Sequence, residues 1–253
     1  MKRLLTIINW NRFYAALLRL TLSTWRRIFG SMILVMLGGP GAGKGTVSKR
    51  LAPALKAVHL STGDELRAEM EKGTPLGQKA KAFVDAGRLV PDAIIIQLIL
   101  DRLDRWKYRN GVILDGAIRT LVQAKALDAA LKARGMSVTR AVQLDPADEV
   151  IYERLAKRMT CSNTNCGRTY HLTMKPPKVP GVCDACQSPL YQRKDDVPEV
   201  IAERLSTYRR EVTPICEHYG QKLTVVKPTE STTEQEVFDE VINALRAERI
   251  SYD

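Results

Sequence analysis

The residues GGPGAGKGT at positions 38–46 carry the first chemical signal in this chain. They follow the apolar run ILVML and lead into VSKRLA, so a glycine-rich turn joins a strand to a helix. Glycines let the backbone curl until successive N–H groups point inward, and the start of a helix adds partial positive charge. In that setting the spacing Gly38-x4-Gly43-Lys44 predicts a phosphate-binding loop whose lysine reaches β and γ phosphates. A turn needed only for packing is disfavoured by five glycines in nine residues, two of them within Gly-Lys-Gly-Thr, in this context.

A phosphate loop needs a metal partner. The apolar run GVILD at 111–115 ends in Asp115, at the carboxyl end of a strand, where ligands of open α/β sheets bind. Asp115 is expected to hold Mg²⁺ or its waters; the alternative for an acid at a strand end is a turn or helix cap. A second constellation reads CSNTNCGRTYHLTMKPPKVPGVCDAC at 161–186. It pairs Cys161 with Cys166 and Cys183 with Cys186, sixteen residues apart. Such knuckles can close a tetrahedral four-sulfur site suited to Zn²⁺, with disulfides as the alternative. A site filled by four thiolates has no open position, so the metal would be structural. His171 between the knuckles is not needed as a ligand, and Cys216 reads as a small buried hydrophobe.

The elements that must position these groups follow from alternation. Short apolar runs at 33–37, 58–61, 111–115, 140–145 and 222–226 alternate with longer helical stretches, which predicts an α/β fold with a parallel sheet covered by helices on both faces. Two stretches break the rhythm and read as insertions. Residues 61–90 are polar and helical around a Gly-Thr-Pro turn, and residues 159–194 are cysteine-bearing, rich in proline and without helical periodicity. With 253 residues, 45% of them hydrophobic, the chain can bury a substantial core.

The formal net charge of +11 points to polyanionic ligands without choosing among them. Lys2, Arg3, Arg12, Arg19, Arg26 and Arg27 supply +6 of it, and residues 1–31 contain no acid. Arg12, Arg19 and Arg26 fall at heptad spacing, so this extension reads as a basic amphipathic helix. It is open to three readings: a transit peptide, a membrane-surface anchor, or sequence upstream of a start at Met32. Arginines interrupt it too often for a bilayer span.

The motifs taken together resemble the adenylate kinase branch of the nucleoside monophosphate kinases, from Met32 to about Ala247. The matching pieces are GGPGAGKGT, STGDELR at 61–67, GRLVPD at 87–92, LDGAIRT at 114–120 with Gln123, RLAKR at 154–158, and RKDD at 193–196 with Arg204 and Leu205. The resemblance implies a P-loop NTPase fold with a five-stranded parallel sheet. It divides the chain into an extension (1–31) and a kinase (32–253), the latter comprising a core (32–60, 91–157 and 197–253), a monophosphate-binding part (61–90) and a zinc-ribbon-like lid (158–196). It implies that Gly41, Ala42, Gly43, Lys44, Gly45 and Thr46 cradle the ATP phosphates, and that Arg154, Arg158, Thr169 and Tyr170 also contact ATP. Thr62, Arg67, Arg88, Leu89, Val90, Gly116, Arg119 and Gln123 would surround AMP. Lys44, Asp115, Arg119, Arg158, Arg193 and Arg204 would serve catalysis, and Cys161, Cys166, Cys183 and Cys186 would hold the zinc of a zinc-bearing lid.

Phosphoryl transfer spreads charge over equatorial oxygens, so alignment and fixed cations do most of the work, and arginine's planar fork suits that task. The implied activity is reversible transfer from MgATP to AMP with the lid closing over both. Thr62 and the Gln123 amide favour adenine. Ala117 and Ile118 stand where the family has phenylalanine and proline, which opens another monophosphate as alternative acceptor. A zinc-ribbon nucleic-acid-binding protein is the alternative from another class. The expected partners are nucleotides, with no nucleic acid, membrane contact only through residues 1–31, and a monomeric state. The expected location is cytoplasmic, or organellar if residues 1–31 are a transit peptide.

Overall fold

The computed structural model describes residues 32–85, 88–105, 111–164 and 166–247. The basic extension, residues 1–31, lies outside the described residues. Among the described residues, no helix is long and apolar enough to cross a membrane.

The five apolar runs form one sheet, as their alternation predicts. Strands β1 (Met32–Gly38), β2 (Val58–Ser61), β3 (Gly111–Asp115), β4 (Arg140–Leu144) and β8 (Leu223–Val226) lie in the order β2-β3-β1-β4-β8, with every neighbouring pair parallel. The two-residue period of β1 sends its side chains to opposite faces. Ile33, Val35 and Leu37 join a core cluster with Ile99 of α4 (Asp92–Arg105), Leu127 of α5 (Leu121–Lys132) and Ile215 of α7 (Pro198–Tyr219). Leu34 and Met36 join a second cluster with Leu51 of α1 (Lys44–Leu55) and Val241 of α8 (Glu234–Ala247). Each fully buried Leu or Ile contributes roughly 1.5–3 kcal/mol. A sheet covered twice therefore needs nearly continuous apolar strands, which is what these runs are.

Parallel pairing brings the motif-bearing ends to one edge. Ser61 at the end of β2 is registered with Asp115 at the end of β3, and Asp115 with Met36 near the end of β1. Three loops thus leave the same rim of the sheet side by side.

The two predicted insertions differ in kind. Residues 62–85 form α2 (Thr62–Glu71) and α3 (Pro75–Asp85). The Ser61 hydroxyl caps α2 by accepting the Asp64 N–H at 3.3 Å, and Asp64 and Glu65 suit the positive end of its dipole. Leu66 and Ala80 of this pair belong to the main core cluster. The two helices touch through Gly77, where a Cβ would lie 2.1 Å from the Glu69 carbonyl oxygen, so only glycine fits. The other insertion follows α6 (Asp148–Ala156) and is a three-stranded antiparallel sheet in the order β6-β5-β7, built from β5 (Arg158–Cys161), β6 (Thr169–His171) and β7 (Leu190–Tyr191). Its own small cluster of Cys161, Tyr170 and Cys183 is separate from those of the main sheet.

Candidate active site

The glycine-rich loop joins β1 to α1. Gly41 has φ +72°, and a Cβ there would stand 2.8 Å from Leu155 Cγ of α6. The backbone lies against that helix because glycine permits it. Gly43 caps α1, its carbonyl accepting from Val47 N at 3.0 Å, and Ala42 is buried beneath the turn. Gly45 and Thr46 occupy the first turn of α1, next to Lys44. The Lys44 ammonium donates to the carbonyls of Gly38 and Gly39 at 2.8 and 2.7 Å. Burial lowers its pKa to about 8, with Asp115 opposing and Arg119, Arg204 and Arg158 reinforcing that shift.

Asp115 is almost fully buried, and its Oδ2 lies 3.3 Å from where a Cβ on Gly45 would be, so the carboxylate faces the start of α1. The same oxygen is 3.1 Å from His59 Nε2. Sequence reading assigned His59 nothing. The signal available was its place on β2, whose terminal Ser61 is registered with Asp115; His59 and Ser61 share a face. A single carboxylate beside a phosphate loop fits Mg²⁺, which keeps several waters and takes its remaining ligands from phosphates.

Eight residues expected around a monophosphate line one cleft of about 580 Å³. Thr62 and Arg67 come from α2; Arg88, Leu89 and Val90 from the segment before α4; Gly116 and Arg119 from the loop after β3; Gln123 from the first turn of α5. The Thr62 hydroxyl donates to the Gly116 carbonyl at 2.7 Å, and Arg67 pairs with Asp64 at 2.5 Å. The Arg88 guanidinium lies over the Phe83 ring at 5.4 Å. Leu66, Val84 and Ile95 add an apolar wall that motif matching missed, and Asp195 also lines the cleft. A second cavity of about 670 Å³ adjoins it, with Lys44 and Pro40 in its wall. Arg119, Arg204, Gly116 and Leu89 line both.

Ala117 and Ile118 prove to be core residues. Ala117 is fully buried and Ile118 nearly so, both in the main apolar cluster, and Ile118 lines the cavity beside Lys44 instead of the monophosphate cleft. Both side chains therefore belong to the apolar interior, and neither lines the monophosphate cleft.

The cations converge. Burial lowers Arg119 to about 10, helped by Arg204 and Arg67, and lowers Arg193 to about 9, helped by Arg67 and Arg158. Burial also lowers Arg204, with Asp195 opposing and Arg158 adding to it. All remain protonated at neutral pH, so the region concentrates positive charge behind low-dielectric walls and attracts anions. Their orientation comes from the RKDD segment. Arg158 binds Asp196 through two bonds of 2.8 and 2.5 Å, and Arg204 reaches the Asp195 carboxylate and carbonyl at 2.8 Å each. Burial raises Asp195, but Arg204, Arg158 and Arg193 outweigh it and hold the carboxyl below its ordinary range. Arg193 donates to Thr160 Oγ1 at 3.0 Å. Arg154 stands apart: burial lowers its pKa against the opposing charges of Glu153 and Glu234, and it donates to the Thr229 carbonyl at 3.4 Å.

In the cysteine-bearing sheet the four sulfurs lie within 4.8 Å of one another, with Cys161–Cys186 at 3.4 Å and Cys166–Cys183 at 3.7 Å. All are free thiols. A tetrahedral ion with Zn–S bonds of about 2.3 Å separates its ligand sulfurs by roughly 3.8 Å. The x4 knuckle, despite its extra length, therefore fits zinc. Thr169 is half-buried in β6, but Tyr170, expected to contact ATP, turns inward. Its hydroxyl accepts the Asp184 N–H at 2.8 Å and lies 3.4 Å from Cys183 Sγ, holding that thiol down at about 6. That side chain serves the sulfur cluster, not the nucleotide cleft. His171 is no part of the cluster: its Nδ1 accepts from Met174 N at 3.0 Å, and its Nε2 is 3.5 Å from Glu153.

Comparison with known proteins agrees with this geometry. Residues 36–224 match the family model described as adenylate kinase. A protein named adenylate kinase from Lachnospira eligens is 44% identical over 215 residues, covering 85% of this chain and all of the relative. Those of Caldicellulosiruptor bescii and Methanothrix thermoacetophila are 40% and 41% identical, covering 86% and 85% of this chain and 100% and 98% of the relatives. With its phosphate loop, its shared arginines and these relatives, the chain belongs to the adenylate kinase family.

Proposed function

We propose that this chain transfers the terminal phosphoryl group of MgATP reversibly to AMP, yielding two ADP. The observation that carries the reading is the pair of adjoining cavities, one walled by Lys44 and the other by Arg67, with Arg119 and Arg204 lining both. Cations shared between donor and acceptor sites are what an in-line transfer requires, because charge builds on the group between them. An oxygen of the AMP phosphate attacks the γ phosphorus, and the bond to the bridging β,γ oxygen breaks, releasing ADP. A phosphate monoester is largely dianionic at neutral pH, so no general base is needed.

Each residue's part follows. Residues 41–46 hold the ATP phosphates through backbone N–H groups. Asp115, oriented by His59, holds Mg²⁺ or its waters. Bound there, the metal supplies charge neutralisation on the β and γ oxygens. Arg67 and Arg119 grip the AMP phosphate, while Lys44, Arg158, Arg193 and Arg204 stabilise the group in transit. Arg154 and Thr169 flank the ATP base end. Thr62, Arg88, Leu89, Val90, Gly116 and Gln123 receive the AMP nucleoside against the apolar wall. The division into core, monophosphate-binding part (61–90) and lid (158–196) belongs to the same reading, with lid closure excluding water from the transfer. Zn²⁺ on Cys161, Cys166, Cys183 and Cys186 is structural. The partners are nucleotides, without nucleic acid, with membrane contact confined to residues 1–31. The working state is a monomer in the cytoplasm, where the four cysteines stay reduced and free to hold the metal.

The test is coupled ADP formation by the full chain with MgATP and AMP, GMP, CMP or UMP in turn. Preference for AMP is the expected result. Preference for another monophosphate reassigns the acceptor, and absence of turnover with all four overturns the proposal.

A further inference from the structure

Gln123 is 1% exposed, and both ends of its amide are engaged by the protein. The Arg119 backbone N–H donates to Oε1 at 2.7 Å, and Nε2 donates to Asp92 Oδ1 at 2.8 Å. These partners leave no choice of orientation: a backbone N–H only donates, and an ionised carboxylate only accepts. Flipping the amide would set N–H against N–H at Arg119 and oxygen against oxygen at Asp92, in a site shielded from water. Asp92 is itself fixed as the first residue of α4, and its Oδ1 also lies 3.4 Å from the Thr120 hydroxyl. That hydroxyl accepts the Gln123 backbone N–H at 3.1 Å and caps α5.

An amide held this way has one lone pair on Oε1 and one N–H on Nε2 still to give, as an acceptor beside a donor. Gln123 lines the monophosphate cleft. Adenine matches that pair, offering its 6-amino donor beside a ring-nitrogen acceptor. Hypoxanthine and guanine present the reverse, a 6-oxo acceptor beside an N1–H donor, and would need the flipped amide. We propose that Asp92 is a specificity-positioning residue: together with the Arg119 backbone N–H it fixes the orientation of Gln123, so that the acceptor site accepts a 6-amino purine monophosphate and refuses a 6-oxo one. This rests on the ATP:AMP reading above and adds what enforces the choice of base.

The probe is inosine 5′-monophosphate, which differs from AMP only at the 6-position and N1 and brings no 2-amino group to clash. In the full chain, Asp92→Asn offers Gln123 either a donor or an acceptor at unchanged size. The Arg119 N–H still opposes the flip, so this variant lifts one of the two constraints: it should raise kcat/KM for IMP in absolute terms and raise the IMP-to-AMP ratio about fivefold. Asp92→Glu keeps an acceptor-only group and should hold the parental ratio. Thr120→Ala, which loses the cap but leaves the carboxylate, should lower thermal stability without moving the ratio. If Asp92→Asn does not accumulate, Asp92→Ser carries the same expectation. A ratio within twofold of the parent, or equal loss for both nucleotides, overturns the inference and leaves the ATP:AMP reading intact. A parent chain that does not use AMP overturns that reading first.

Discussion

The two insertions that interrupt the sheet are anchored by opposite means. The helical pair α2–α3 shares the main core, with Leu66 and Ala80 inside the same cluster as β1 and α5. The antiparallel sheet of residues 158–191 has a private interior of Cys161, Tyr170 and Cys183. On the proposed reading, metal–sulfur bonds stand in for the core that this segment has too few apolar residues to build. The first insertion should therefore come apart only with the domain, and the second should come apart alone.

The strongest way to break this contrast is to take the metal from the sulfurs. Chelation, or Cys183→Ser, should unfold the lid and abolish phosphoryl transfer while the main sheet stays folded. Metal-coupled folding free energies are on the order of 10 kcal/mol. Circular dichroism should change little, while reactive thiols rise toward the full five of the chain. Retained activity with unreactive thiols would refute the metal-anchored lid.

A smaller effect is expected at the helical pair. Gly77→Ala places a methyl 2.1 Å from the Glu69 carbonyl and forces α2 from α3, at a cost of about 1–3 kcal/mol. Because this pair shares the core, the loss should appear in the single melting transition of the whole domain, with a raised KM for AMP and an unchanged KM for MgATP. A separate early transition would place α2–α3 outside the cooperative unit.

The smallest effect belongs to neither insertion and should be common to both. Lys44 has its pKa lowered to about 8, so its ammonium is lost as pH rises through that value. The kcat/KM for MgATP should fall above about pH 8 by roughly tenfold per unit. The sign separates this from unfolding. Between that value and the ordinary 10.5, the unfolded chain binds the proton that the folded chain has lost. This lysine therefore adds stability across the window as pH rises. A pH profile flat to 10 would show that Lys44 stays charged without phosphate.

Much of this was legible in the sequence because it depends on local pattern. Five apolar runs sufficed for the sheet, glycine spacing for the loop, and paired cysteines for the sulfur cluster. Contacts between motifs were less so. The resemblance places Tyr170 at ATP, yet its ring packs into the small cluster of its own sheet. Ala117 and Ile118 depart from the family pattern beside a binding motif, but the loop after β3 packs both into the main core cluster. His59 belongs to no motif, and Asp92 closes the GRLVPD piece without an assigned role. They matter through a partner 56 residues away in one case and 31 in the other. Such pairings are set by strand order and helix docking, which no short window contains.

The bidentate hold of Asp196 on Arg158 has a consequence for turnover. The arginine never lacks a ligand: a carboxylate engages it at 2.8 and 2.5 Å whenever phosphate does not. The Gly38 and Gly39 carbonyls do the same for Lys44. On the proposed reading, nucleotide therefore displaces an internal competitor on arrival and meets the same competitor waiting on departure. An affinity reduced in this way shortens dwell time, so a reaction whose two products are identical and highly charged can let both go.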